Sequence, residues 1–344
     1  MKRPVMKSML LLGLSGLALA PLLAQADTPG ALKHVKRAKA IAGNDITAPL
    51  FLCETKANAG VEKAFAEGKT RQTPVQAFDN LWYLGNSFVG VWVLKTSEGL
   101  ILFDAGVSPA EARDHIVPEL RSLGLDPAQI KYVLVTHGHW DHYGGASYFQ
   151  DSFGARIGLS GPDWYMMARL EADSPARMNV PRPRDDLVVT DGQKIILGDT
   201  TITLYITPGH TPGTLSAIIP VRDGKSVHNL SLLGGTAFPP TTDPGDRNGG
   251  LSGFSKSVER LADLSKAAAA EGLINTHTFV DGSADHLRDV AKARAEGKRN
   301  PFLIGTDLVV KHYQVFDECL KAAMKRPQDS SGEWSRPLPK EPQP

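Results

Sequence analysis

"YVLVTHGHWDHYGG", residues 132–145, is the stretch on which the fold turns. An apolar, β-branched run stops at Thr136, and His137, His139, Asp141 and His142 follow within six positions. On a strand end or tight loop, residues two apart point the same way, so His137 and His139 can face one cation together. Asp141 and His142 fall on the start of the following helix and face a second position beside it. Imidazole with carboxylate suits zinc, and also iron or manganese. The bland alternative is a set of surface histidines at a turn. One histidine would favour it. Four ligating groups directly after a buried strand do not, because so dense a polar cluster is costly to bury without a cation.

Two further histidines occupy the same context. His210 lies in "TPGHTPGT" (207–214), and His277 in "INTHTF" (274–279), each at the end of an expected strand. Prolines 208 and 212 stiffen the first of these loops. Six potential ligands thus gather at three strand ends.

Around these ends the pattern alternates. Residues 78–106 read as strands broken at Gly85-Asn86 and Glu98-Gly99. Residues 110–125 have helical spacing, 131–136 form a buried strand, and a helix opens over 145–153. A strand at 155–160 precedes a helix at 162–172. Residues 194–209 form a hairpin turning at Gly198-Asp199, and strands follow at 215–221 and 230–235. A helix over 253–272, a last strand at 273–277 and a helix over 305–326 complete the order. Helices outside and sheets inside, in four layers, accommodate this alternation. Residues 27–77 read as an N-terminal extension holding a turn or two of helix, 78–325 as one catalytic domain, and 326–344 as a disordered tail.

The chain has 344 residues, 42% hydrophobic and 22% charged, with a formal net charge of +1. That balance gives no general attraction to nucleic acid or acidic membranes, and a small molecule is the expected partner. Oligomeric state is left open. Residues 1–26 carry Lys2, Arg3 and Lys7, a short apolar core at 9–23 and the small-residue site "AQA" (24–26). This is the pattern of a secretory signal peptide, removed to leave a periplasmic or secreted protein without a membrane span. Cys53 and Cys319, the two cysteines, either pair as a disulfide or remain as buried thiols.

"THGHWDH", then "GHTPGT", then a late strand-end histidine resembles the metallo-β-lactamase superfamily, and "ILFDAG" (101–106) resembles its Asp-x-Gly strand end. The resemblance implies an α+β, four-layer αββα sandwich in one domain. It implies a first metal on His137, His139 and His210, and a second on Asp141, His142 and His277. Asp104 would orient ligands from behind. Gly235, in "LLGGTAF" (232–238), stands where many hydrolases of the superfamily carry a bridging Asp, which makes the third lactamase subclass the most similar. The activity implied is that of a two-zinc hydrolase, with a metal-bridged hydroxide attacking a carbonyl and Asp141 orienting it. A β-lactam ring is the first substrate expected, with the antibiotic resistance that follows. Another ester, lactone or amide is the alternative, and a non-catalytic metal-binding protein a third. Thr236, Trp140 and Phe88 are the expected substrate contacts, and Trp92 is expected in the core.

Overall fold

The computed structural model describes residues 27–54, 71–173, 180–238 and 250–326. The expected signal (1–26) and nearly all of the expected tail (326–344) lie outside them. Among the described residues no helix is long and apolar enough to cross a membrane.

The strands build two sheets. β1 (Val75–Phe78), β2 (Leu81–Gly85), β3 (Gly90–Thr96) and β4 (Gly99–Phe103) form an antiparallel meander. β5 (Ile130–Leu134), β6 (Arg156–Ser160) and β7 (Leu187–Val189) join it in parallel, giving seven strands in chain order. β8 (Lys194–Leu197), β9 (Thr200–Ile206), β10 (Leu215–Asp223), β11 (Ser226–Leu232) and β12 (Ala270–Ile274) form the second sheet, ordered β12-β11-β10-β9-β8.

Side-chain alternation sets the layers. Trp92 and Leu94 of β3 pack between the sheets with Leu204, Ile219 and Leu230 of the second. Their neighbours Val91 and Val93 face the other way, against Leu120 and Phe149 of the helices Val117–Ser122 and Ala146–Phe153. On the far side, Ile218 of β10 meets Phe254, Leu261 and Phe316 of the helices Gly250–Ala267 and Thr306–Met324. The result is the expected helix–sheet–sheet–helix sandwich. Each fully buried Leu or Phe contributes roughly 1.5–3 kcal/mol, and three such clusters hold the layers together.

Several elements differ from the sequence reading. The helix expected to run to Gly272 ends at Ala267, and β12 already begins at Ala270. The alanine run favours helix locally. Pairing with β11 overrides it, through Asn229 with Ala270 and Leu230 with Gly272. Ala269, at φ 48°, makes the turn. The N-terminal extension holds a 14-residue helix, Pro29–Ala42, where only a turn or two was expected. Thr28 caps it by accepting from the Ala31 N–H, and its buried face is three alanines, 31, 38 and 42. Alanines make a weak apolar stripe, yet they let this helix sit close against Thr306–Met324. A disulfide joins Cys53, just beyond, to Cys319 on that C-terminal helix. A further helix, Ser283–Ala295, falls where no element was expected.

Candidate metal centre

The six expected donors meet at one edge of the sandwich. β5 ends just before Thr136-His137, the short helix Trp140–Tyr143 carries Asp141 and His142, the β9–β10 loop carries His210, and His277 follows β12. Within each of two groups the donor atoms lie within 4.8 Å of one another: His137, His139 and His210, and Asp141, His142 and His277. Neighbouring loops fix this edge. The Leu215 N–H donates to Thr136 O at 2.7 Å, joining the two sheets. Trp92, fully buried as expected, donates its indole N–H to Asn275 O at 2.9 Å, and the Asn275 side chain accepts from the His277 N–H.

Proton positions follow from the outer partners of the rings. Nδ1 of His137 lies 2.8 Å from Gly234 O, that of His210 2.7 Å from Ala237 O, and that of His277 2.7 Å from Phe88 O. A carbonyl only accepts, so each Nδ1 carries the proton and each Nε2 is left with a lone pair. His137 Nε2 and His210 Nε2 nevertheless face each other at 3.0 Å, with His139 Nδ1 3.0 Å from the latter. Lone pairs aimed at one another in a buried site repel unless positive charge sits between them. The donor chemistry therefore fits a cation held by three imidazoles.

The second group is built differently. His142 Nδ1 donates to Asp104 Oδ2 at 2.6 Å, and its Nε2 lies 3.1 Å from His277 Nε2. Asp141 Oδ2 is 3.5 Å from both of those Nε2 atoms. Asp104 is fully buried at the end of β4, and its φ of 65° turns its carboxylate under the site. There it also accepts from the N–H and hydroxyl of Thr136.

Burial and neighbouring imidazoles hold His137 and His210 well below the ordinary histidine pKa. His277 is lowered to about 4, mainly by burial. His142 is the exception. Burial opposes its charge too, but Asp141 and Asp104 outweigh it and raise the ring above its usual value. Asp141 shows the reciprocal effect: burial works against its charge, and the rings of His142 and His277 more than compensate, lowering its carboxyl.

A family model described as the metallo-beta-lactamase superfamily matches residues 84–223. Over that region the chain is similar to the metallo-β-lactamase superfamily. BJP-1, a subclass B3 metallo-beta-lactamase of Bradyrhizobium japonicum, superposes with a TM-score of 0.59 and 27% identity, covering 72% of this chain and 92% of that one. The acyl-coenzyme A thioesterase MBLAC2 of Gallus gallus is 24% identical over 222 residues, 59% of this chain and 76% of its own. The N-acyl homoserine lactonase AttM of Rhizobium radiobacter is 30% identical over 121 residues, 32% of this chain. That match spans only 43% of the lactonase.

Gly235, beyond the matched region, has a steric reason. A Cβ there would lie 2.6 Å from His210 Cβ and 2.7 Å from its Cδ2. No side chain, and so no bridging carboxylate, fits without moving His210. Of the expected substrate contacts, Phe88 stands edge-on to the His277 ring at 4.8 Å between centroids. Trp140 is half-buried beside Asp141 and packs on the outer helical cluster. Thr236 is buried and lines a small interior cavity with Asn275, Asp281 and His312.

One residue of the site escaped the sequence reading. Asp163, fully buried in the helix Gly161–Asp173, accepts from the Gly138 N–H at 2.9 Å, the Thr211 hydroxyl at 2.7 Å and the Gly213 N–H at 2.7 Å. It thereby staples the His137–His139 turn to the His210 loop. Burial pushes its carboxyl up to about 6, even against these donors. An isolated aspartate in a helical pattern carries no signal of this. The glycines at 138 and 213, whose amides it collects, are the only hint.

Proposed function

We propose that this chain is a secreted dinuclear zinc hydrolase that opens the cyclic amide of a β-lactam. The observation that carries the reading is the pair of imidazole Nε2 lone pairs facing each other at 3.0 Å, with every outer nitrogen already committed as a donor. His137, His139 and His210 would hold one cation, and Asp141, His142 and His277 the other. When bound, such cations lower the pKa of water to around 7 and polarise a carbonyl oxygen. The chain's own groups do the rest. Asp141 Oδ2, 3.5 Å from the His142 and His277 rings, accepts a hydrogen bond from the attacking water and aims it. Asp104 keeps His142 in the tautomer that presents Nε2 inward. Phe88 and Trp140 flank the donors and exclude bulk water from the scissile carbonyl, whereas Thr236, buried against the interior cavity, takes no part.

Secretion rests on the N-terminal pattern at 1–26 and on the Cys53–Cys319 disulfide, which suits an oxidising compartment. The sequence relatives favour a second reading, since one is a lactonase and another a thioesterase. Metal analysis of the purified protein, paired with nitrocefin and imipenem turnover, tests the first reading; acyl-lactone turnover tests the second. The expected result is two equivalents of zinc and lactam hydrolysis abolished by chelation. Metal-loaded protein that spares lactams and opens lactones sinks the first reading and keeps the second. Inertness towards both classes sinks both.

A further inference from the structure

The donor cluster is bordered on one side by an aromatic series that reaches outside the region matched by the family model. Phe88 stands edge-on to His277, with centroids 4.8 Å apart. Phe279 lies 5.8 Å from His277 and stacks on Phe88 at 6.1 Å and 20°. Phe51 packs on Phe279 at 5.9 Å. Phe88 is buried, whereas Phe279 and Phe51 keep part of their surface exposed. Phe51 belongs to the 3-10 helix Ala48–Cys53, far from the other two rings in sequence. The Cys53–Cys319 disulfide pins that turn, and Arg326 donates to the Cys53 carbonyl.

We infer that Phe51, Phe279 and Phe88 form an apolar wall of the substrate site, recognising an aryl or alkyl substituent next to the scissile carbonyl. Binding sites combine a mostly apolar lining with a few convergent polar groups, and this wall meets the polar cluster at His277. Rings packed in series offer apolar surface to another ring or to a methylene chain, and they carry no hydrogen-bonding group. The N-terminal segment is then part of the specificity apparatus: it contributes the outermost ring, and the disulfide fixes where that ring stands. The inference rests on the hydrolase reading above for the position of the scissile carbonyl.

The test compares benzylpenicillin with its de-acylated parent, aminopenicillanic acid, which differ by one phenylacetyl group. In the full-length zinc-loaded protein, Phe51→Ala is expected to raise the ratio of KM for benzylpenicillin to KM for the parent on the order of tenfold. Phe51→Leu, which restores apolar volume, is expected to recover most of it. An unchanged ratio in Phe51→Ala overturns the inference. Saturation-transfer NMR of benzylpenicillin on the metal-depleted full chain gives a readout without turnover. Transfer to the phenyl protons, lost in Phe51→Ala, supports the wall; equal transfer in both proteins overturns it. Failure to hydrolyse either lactam counts against the hydrolase reading alone, because the NMR arm still decides the wall.

Discussion

His137 and His210 lean on main-chain carbonyls, whereas His142 leans on a carboxylate. The first donor group is three imidazoles, two of them held by neutral main-chain carbonyls. The second contains Asp141 and has Asp104 behind it, so two carboxylates face or back one cation position. The first therefore depends on shape, on loops kept in register so that three lone pairs converge. The second depends more on charge. A neutral imidazole set suits zinc, and added carboxylate oxygen widens the second position towards harder cations.

The largest effect expected comes from removing a donor from the shape-dependent group. His210→Ala should cut hydrolysis by roughly a thousandfold or more, beyond the 10–100-fold typical of outer partners. Metal analysis should show one equivalent lost and the second group still loaded. Loss of both equivalents would mean that the two positions fill as one unit, and the contrast between them would fall.

Next comes the charge behind the second group. Asp141 and Asp104 together raise the His142 ring, and Asp104→Asn removes the second of these anions. Affinity of the second position should fall about 10–100-fold, the usual cost of losing an outer carboxylate. Stepwise zinc titration with a chromophoric chelator separates the two constants. An equal fall at the first position would show that the groups share their support.

Asp163→Asn probes the shape-dependent group alone. The amide presents N–H where the Gly138 N–H, the Thr211 hydroxyl or the Gly213 N–H now donates, so one buried donor loses its acceptor at a cost of about 1–3 kcal/mol. The thermal midpoint of the metal-free protein should drop, and zinc affinity at the first position should fall about tenfold while the second is spared. A variant that loses stability but keeps full affinity would reduce Asp163 to a fold-holding residue.

This asymmetry also explains which parts of the site were legible. The His137–His142 cluster, His210, His277 and Asp104 carry chemical identity in the sequence, and strand ends bring them to one edge because alternation and turn residues set the layers. Asp163 carries none, since its role exists only once two loops lie side by side. The full length of the helix Pro29–Ala42 is hidden in the sequence because its packing face is alanine. The stretch 268–272 has helical propensity, while pairing with β11 decides it from a distance.

The smallest effect is an order of events on acidification. A ligand must be deprotonated to bind, so protons displace the cation first where a ring takes them up most readily. Asp141 and Asp104 raise His142, while burial and neighbouring rings keep His137 and His210 well below the ordinary value. As pH falls, His142 therefore protonates first, and the second group should release its cation at a higher pH than the first. Two-step zinc release, followed with a chelating dye while the buffer is acidified, checks the order. Asp104→Asn should make release from the second group occur at a higher pH still: the change lowers the His142 pKa, but a divalent cation loses more than a single proton does when the same anion is removed. If instead release moves to lower pH in that variant, the fall in the His142 pKa outweighs the lost support, and proton competition dominates the second group.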